Sequence, residues 1–478
     1  MDTERGSQDG IPLVTDLDGT LIRTDSLWEG VLLMAGKNPL LVFLLPLWLL
    51  RGRLFFKARM LPYCLEASTL FPLNADVLRR LEEEKARGRE IYLATAALEP
   101  IARVMAERLG IFSGVFASSE ERNLKGTAKA ERLVEAFGTK GFDYIGDSSA
   151  DLPVWAACRT ALLATDSARL LAGARQLNPD SLPLPGRTAG PRDYRRAVRL
   201  HQWMKNILVF VPLALAHLFT AKALLAALLA FVSFSLCASS VYVINDLLDL
   251  SADRRHHRKC RRPFAAGDIP VTRGPLLVLG LLAATALCCL VLPPRFVLIL
   301  AVYYALTFSY SLYFKRKVML DTVSLAGLYF LRIAAGAAAV GVALSNWTIA
   351  FSLFLFLGLG LMKRVAELKE HRAAAGEKVA GRPYTIEDRN ILEIMSTCSA
   401  FSSMVVLALY IDSLQASLLY SSPLALWLAL PLAVYWYGRI LILTHRGQMD
   451  CDPVQFVIKD RATWCCAVLG VAIIFFAK

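Results

Sequence analysis

The stretch VYVINDLLDLSADRRHHRKCRRPFAAG, residues 241–267, decides how this chain is read. Asp246, Asp249 and Asp253 recur at spacings of three and four, so on a helix they share one face, with Asn245 beside them. The residues ahead of them are apolar, which places the acids at the end of a membrane helix. Carboxylates are costly there unless a cation or a cavity receives them. Mg²⁺ bridging the three acids to a diphosphate meets that demand, because the ion prefers a few carboxylates plus phosphate oxygens. The bases that follow, Arg254 through Arg262, suit the phosphates of a second substrate. His256, His257 and Cys260 fit no standard zinc spacing, so a positive anchor is the better account of this run.

Working outward, the 478 residues are 56% hydrophobic and 19% charged, with a formal net charge of +13. That balance excludes a purely soluble or disordered chain. Apolar stretches begin near Ile207, Leu224, Leu276, Phe296, Thr322, Trp347, Ile391, Leu424 and Ala462, which predicts about nine membrane helices. With alternate sidedness, the loops after the second, fourth, sixth and eighth helices hold 21 Lys and Arg, and the opposite side holds Lys222, Arg295 and Lys478. Basic loops stay cytoplasmic, so the acidic helix end faces the cytosol. The basic balance is therefore a membrane signal, and no aromatic-interleaved basic module points to nucleic acid. The ten cysteines follow no metal or disulfide spacing and read as packing residues. The first 14 residues lack the basic and apolar regions of a signal peptide, so the first half is expected in a reducing cytosol.

Residues 11–20, IPLVTDLDGT, form a short apolar strand that runs into two acids one residue apart, and Gly19 permits a tight turn. At that spacing Asp16 can attack phosphorus while Asp18 protonates the leaving oxygen and later activates water. Three more pieces follow in order: Thr95 after the apolar strand 91–94, Lys129 in NLKGTAKAERL, and GDSSAD at residues 146–151. Together they resemble the haloacid dehalogenase superfamily. The resemblance implies an α/β Rossmann-like fold with a helical cap over residues 24–90, in a domain spanning residues 1–175. It further implies that Thr95 and Lys129 bind the phosphoryl group, that Asp147 joins Asp16 and the backbone of Asp18 around Mg²⁺, and that Asp151 supports this site from behind. Lys125 is the weaker occupant of the lysine role.

Within the cap, residues 39–61 are apolar and then basic, with Pro46 interrupting a run too short to span. Two readings stand: a segment lying in the headgroups with Arg51, Arg53, Lys57 and Arg59 on lipid phosphates, or an apolar cap core. Residues 176–193, rich in Pro and Gly, read as an extended connector. Beyond it, the basic and then apolar segment 194–210 suits entry into the membrane, with Trp203 at headgroup depth.

Residues 194–478, through the acidic motif and the helix count, resemble the UbiA superfamily of intramembrane transferases, which implies an all-α polytopic domain. Where that family carries a second acidic motif, residues 310–336 offer Asp321 alone, accompanied by Tyr310, Lys315 and Arg332, and then by Lys363, Arg364 and Glu367. With RLHQWMKN, RPFAAG and KRVAEL, this pattern resembles the branch that transfers 5-phosphoribose from phosphoribosyl pyrophosphate to polyprenyl phosphate. Cys260 departs from it, where a further base beside Lys259 is expected.

Substrate binding is expected of Asn245, Lys205, Lys259, Arg262, Tyr310, Lys315, Asp321, Arg332, Lys363 and Arg364, among which Lys205, Arg262, Lys315, Arg332, Lys363 and Arg364 are the candidates for phosphate contacts, not divided between donor and acceptor. The resemblance implies one Mg²⁺ in each active site, the second on Asp246, Asp249 and Asp253. The expected protein is a bifunctional, multi-pass enzyme of the inner (plasma) membrane. Both active sites are expected to be cytoplasmic, with membrane lipids as surroundings and homo-oligomerisation left open. The alternative is an aromatic prenyltransferase using polyprenyl diphosphate, with an unrelated or inactive phosphatase domain. A transporter or scaffold, the rival of another class, leaves the hydrolase residues unexplained.

Overall fold

The computed structural model describes residues 10–119, 122–184, 189–370, 383–449, 456–457 and 459–478. The first nine residues, residues 185–188 of the expected connector and Cys451 lie outside these. By its internal contacts the chain divides into two compact units: Met1–Leu200 with Tyr242–Gly280, and His201–Val241 with Leu281–Lys478. The division differs from a single cut at the connector, because the stretch after the acidic motif packs with the hydrolase-like residues.

The first unit is organised by a six-stranded sheet of order β3-β2-β1-β4-β5-β6, parallel throughout. The strands are β1 (Leu13–Thr15), β2 (Ile91–Leu98), β3 (Gly114–Ser118), β4 (Asp143–Gly146), β5 (Ala161–Leu163) and β6 (Ser181–Pro183). Alternation decides the faces: Leu13, Ile91, Leu93 and Ile145 enter one core cluster, and Val14, Ala94 and Tyr144 the other. Strand order reverses at β1, which pairs with β2 on one side and β4 on the other. In doubly wound sheets ligands bind at the carboxyl ends of strands beside this point, where Asp16, Asp18 and Asp147 lie.

Part of the expected connector is built into the sheet: Ser181–Pro183 pairs with β5, and helices Ala168–Leu177 and Pro191–Ala197 flank it. Asn178 turns the chain back, its amide donating to the carbonyls of Trp155, Cys158 and Arg159. The cap resolves into two surfaces. Helix Arg53–Ser68 buries Phe56, Met60 and Cys64 against the sheet's core, whereas Pro39–Leu50 exposes Leu40, Phe43, Leu47 and Leu50.

Residues 242–280 join this unit through a buried ion pair. Arg254 donates to Glu29 through Nη1 (3.0 Å) and Nη2 (2.6 Å), and through Nε to the Ala265 carbonyl (3.0 Å). The two side chains are 6% and 2% exposed, and Thr24 donates to the same carboxylate at 2.5 Å.

The second unit is helical. Across the described residues, six helices are long and apolar enough to span: Ala221–Leu248, Pro294–Leu312, Leu320–Val340, Asn346–Lys369, Ile386–Ile411 and Pro423–His445. Together they make this a multi-pass membrane protein. Nine were expected. Two of the remainder, Arg273–Cys289 and Arg461–Ala477, are 17 residues each, at the lower limit for crossing. The stretch at Ile207 departs further: it is a 3-10 helix, Leu200–Phe210, followed by the five-residue helix Val211–Leu215. Pro212 tolerates only the first turn of a helix, so the apolar run is divided at that point.

Removing one partner of a buried pair strands the other charge. Glu29→Ala is expected to cost about 3–5 kcal/mol of stability, and Glu29→Ala with Arg254→Ala to recover part of it. Thermal denaturation of the full chain in detergent measures both.

Candidate active sites

At the sheet's carboxyl edge, β1 delivers Asp16 and Asp18 and β4 delivers Asp147. Gly19 has φ +78, and a Cβ there would run into the Asp147 carboxylate, so only glycine lets the two loops approach. Lys129 is 3% exposed and donates to Asp16 Oδ1 (2.9 Å), to the Tyr144 hydroxyl (2.8 Å) and to Asp151 Oδ1 (3.4 Å). Tyr144 donates in turn to Asp151 Oδ1 at 2.9 Å. Asp18 faces the other way: the Ser26 amide and hydroxyl donate to its two oxygens at 2.6 and 3.2 Å. Thr20 donates to Asp147 Oδ1 at 3.2 Å. Thr95 lies inside β2, which runs on to Leu98, and its hydroxyl accepts from the Ala97 amide at 3.0 Å.

Burial dominates the electrostatics. It pushes Asp16 up to about 6 against the pull of Lys129, Asp18 to about 7 with help from Asp25, and Asp147 to about 8 with help from Asp16. Burial alone would lower Lys129, but Asp16 and Asp151 hold its ammonium above the ordinary value. One lysine does not neutralise this many carboxylates. Oxygens of Asp16, Asp147 and Asp151 lie within 4.8 Å of one another, which fits a divalent cation. Asp151 is already committed, since its Oδ2 accepts from the Asp147 and Ser148 amides and the Ser148 hydroxyl. Asp16 and Asp147 would therefore hold such an ion directly, with Asp151 behind them.

The second acidic group sits in the same unit. Asp246 and Asp253 are each 2% exposed, and both meet one guanidinium nitrogen, Arg262 Nη1, at 3.0 and 2.6 Å. Arg199 also pairs with Asp246. One cationic nitrogen therefore lies between two of the three carboxylates. Asp249 is half-buried one turn away, Asn245 is partly buried, and Lys259 is exposed. Cys260 donates to the His257 carbonyl at 3.3 Å rather than converging with the histidine rings.

In the helical unit, Asp321 is fully buried, accepts from the Tyr384 hydroxyl at 2.7 Å and pairs with Arg364 Nε at 2.7 Å. Arg364 also pairs with Glu367 and donates to the Tyr310 hydroxyl at 2.9 Å. Arg332 donates to Asn206 at 2.8 Å and lies over the rings of Phe234, Tyr303 and Tyr329. Trp203 donates to Ser239 at 3.0 Å. Lys205, Lys315 and Lys363 have polar or charged partners of their own.

Sequence reasoning missed Ser26, Tyr144, Glu29 and Arg199. One of the two readings of the cap faced Lys57 toward lipid, whereas its ammonium turns inward to the Ala96 carbonyl (2.6 Å) and Asn123 Oδ1 (2.7 Å). Tyr144 lies in a strand buried along its whole length, and partners of Arg199 and Lys57 lie 47 and 66 residues away, beyond any local pattern.

Two family models match the chain, one in each half of the sequence. The model described as the UbiA prenyltransferase family matches residues 206–458, and that described as haloacid dehalogenase-like hydrolase matches residues 13–155. The chain belongs to the UbiA prenyltransferase family. Its N-terminal part is a haloacid dehalogenase-like hydrolase domain. This UbiA-family chain is 36% identical over 459 residues to uncharacterized protein y4nM of Sinorhizobium fredii, covering 95% of this chain and 88% of the relative. It is 33% identical over 285 residues to nodulation protein NoeC of Azorhizobium caulinodans, covering 59% of this chain and 91% of that one. It is 31% identical over 280 residues to decaprenyl-phosphate phosphoribosyltransferase of Mycolicibacterium smegmatis, covering 56% and 86%.

If the hydrolase carboxylates bind Mg²⁺, the ion stabilises the fold by mass action. Saturating Mg²⁺ is expected to raise the melting temperature of the wild-type chain, and Asp147→Asn to remove most of that increment. Differential scanning calorimetry with and without the ion tests this without requiring turnover.

Proposed function

We propose that this UbiA-family enzyme transfers 5-phosphoribose from phosphoribosyl pyrophosphate to a polyprenyl phosphate, and that its N-terminal domain then hydrolyses the 5-phosphate to leave polyprenylphosphoryl ribose. The observation that carries the reading is the occupation of one compact unit by two phosphate-handling acidic groups, Asp16 with Asp147 and Asp246 with Asp253. The name of the mycolicibacterial relative supports the donor and acceptor.

In the transfer, an oxygen of the lipid phosphate forms a bond to ribose C1 as the C1–O bond to the diphosphate breaks, the electron pair leaving with the diphosphate. The nucleophile is already anionic, so positioning matters more than a base. Asp246, Asp249 and Asp253 would hold a divalent ion, which would supply charge neutralisation for the leaving diphosphate. Arg262 stands between two of these acids and is poised to exchange them for phosphate oxygens. Lys205, Asn245, Lys259, Lys315 and Lys363 are the proposed further phosphate contacts. The enclosed Asp321–Arg364–Tyr310 network and Arg332 lie within the helical unit.

In the hydrolysis, an Asp16 oxygen bonds to phosphorus while the bond from phosphorus to ribose O5 breaks, and O5 takes a proton from Asp18. Asp18 then takes a proton from water as the water oxygen attacks the phosphorus on Asp16, releasing phosphate and restoring the carboxylate. The raised value of Asp18 suits this alternation, and Ser26 fixes its direction. Lys129 and Thr95 bind the phosphoryl oxygens. Asp16 and Asp147 would hold Mg²⁺, which would supply charge neutralisation there. Both sites lie on the cytoplasmic side of the inner membrane, following the bias of basic residues.

Mass spectrometry of lipids made by purified enzyme from polyprenyl phosphate, phosphoribosyl pyrophosphate and Mg²⁺ tests the proposal. Asp16→Asn is expected to accumulate the 5-phosphorylated lipid, with phosphate release down at least about 1,000-fold. Asp249→Asn is expected to stop ribosylation itself. Product only from prenyl diphosphate and an aromatic acceptor would replace this reading with the prenyltransferase one.

A further inference from the structure

The hydrolase carboxylates open into a cleft of about 820 Å³, large enough for a far bigger molecule than a simple phosphate ester. One wall is not hydrolase sequence at all. It consists of Gly267, Asp268, Pro270, Thr272 and Arg273, which follow the acidic motif. This wall is firmly placed. Gly267 adopts φ +73 against Arg23, where a Cβ would lie 2.6 Å from Arg23 Cβ and 2.9 Å from its carbonyl oxygen. Arg254 anchors the same segment to Glu29, and Arg273 Nη1 donates to the Tyr194 hydroxyl at 3.0 Å.

The charge of the lining exceeds what one phosphate needs. Lys129 and a divalent ion serve the phosphoryl group under attack, yet Arg53, Lys57, Lys125 and Arg273 also line the cleft. Against them stand Asp25 and Asp268, besides the motif carboxylates Asp16, Asp18, Asp147 and Asp151, and Asp268 already has Arg196 at 3.5 Å. Lys57 is held by two acceptors that fix its ammonium in the wall. Leu49, itself exposed, lines the cleft as well, and belongs to the Pro39–Leu50 segment in which Leu40, Leu44, Leu47 and Leu50 are also exposed. Cations beside an apolar edge suit an amphiphile with a second anion.

We propose that the wall at residues 267–273 is a second subsite of the phosphatase, in which Arg273, with Arg53 and Lys57, binds the phosphodiester at the far end of a sugar whose phosphomonoester is hydrolysed. The domain thereby selects lipid-linked sugar phosphates over free ones. This inference rests on the phosphatase reading given above.

The test compares phosphate release by the full-length enzyme from two esters, a short-chain prenylphosphoryl 5-phosphoribose and ribose 5-phosphate. Wild type is expected to prefer the first. Arg273→Gln is expected to lower the ratio of the two kcat/KM values at least about tenfold, chiefly through KM for the diester, and Arg273→Lys to restore part of it. Melting temperatures of the variants monitor folding, and Arg53→Gln provides an independent second variant with the same expected direction. A wild-type enzyme inert on both esters overturns the phosphatase reading and the subsite with it. An active enzyme whose ratio is unmoved by either Gln variant overturns the subsite alone.

Discussion

The pairing of Glu29 with Arg254 is the constraint on which the first unit depends. Each charge is almost inaccessible, so neither is tolerated without the other, and the two come from segments 225 residues apart. Glu29 lies three residues beyond Ser26, whose amide and hydroxyl aim Asp18. Arg254 directly follows Asp253, which shares Arg262 with Asp246. One ion pair thus fixes the backbone beside both acidic groups, and a shift in either segment is felt by the other.

Both groups meet the same physical difficulty, carboxylates gathered out of water, and resolve it differently. The hydrolase site spreads the burden over Lys129, Tyr144 and backbone amides, and burial raises its carboxyls, Asp147 furthest, to about 8. The other site relies on guanidinium groups, from Arg199 and Arg262. A guanidinium is held on a flexible stem and matches phosphate as well as carboxylate, so it is suited to changing partners when a diphosphate arrives.

Much of this was legible in the sequence because local pattern dictated it. The strand running into DLDGT, the order of Thr95, Lys129 and GDSSAD, and the helical spacing of Asp246, Asp249 and Asp253 need only neighbouring residues to be read, and the structure brings Asp16, Lys129, Asp147 and Asp151 together. What escaped depends on packing between distant segments. Hydropathy counts apolar residues but not how a proline divides them, which is why the stretch at Ile207 read as a span. Composition marked residues 39–61 as apolar and basic without revealing that Lys57 turns inward while Leu50 turns out. Nor does any pattern show that Arg364 and Asp321 spend their charges on each other.

The wall built from residues 267–273 alters what counts as a module here. A hydrolase cut out at the Pro- and Gly-rich connector would keep every residue of its motif and yet lose one side of its cleft, together with the guanidinium that neutralises Glu29. Exchange of this domain between family members is therefore coherent only when residues 242–280 travel with the first 200. The inheritable piece is discontinuous in the chain, and recombination at the connector alone would separate it.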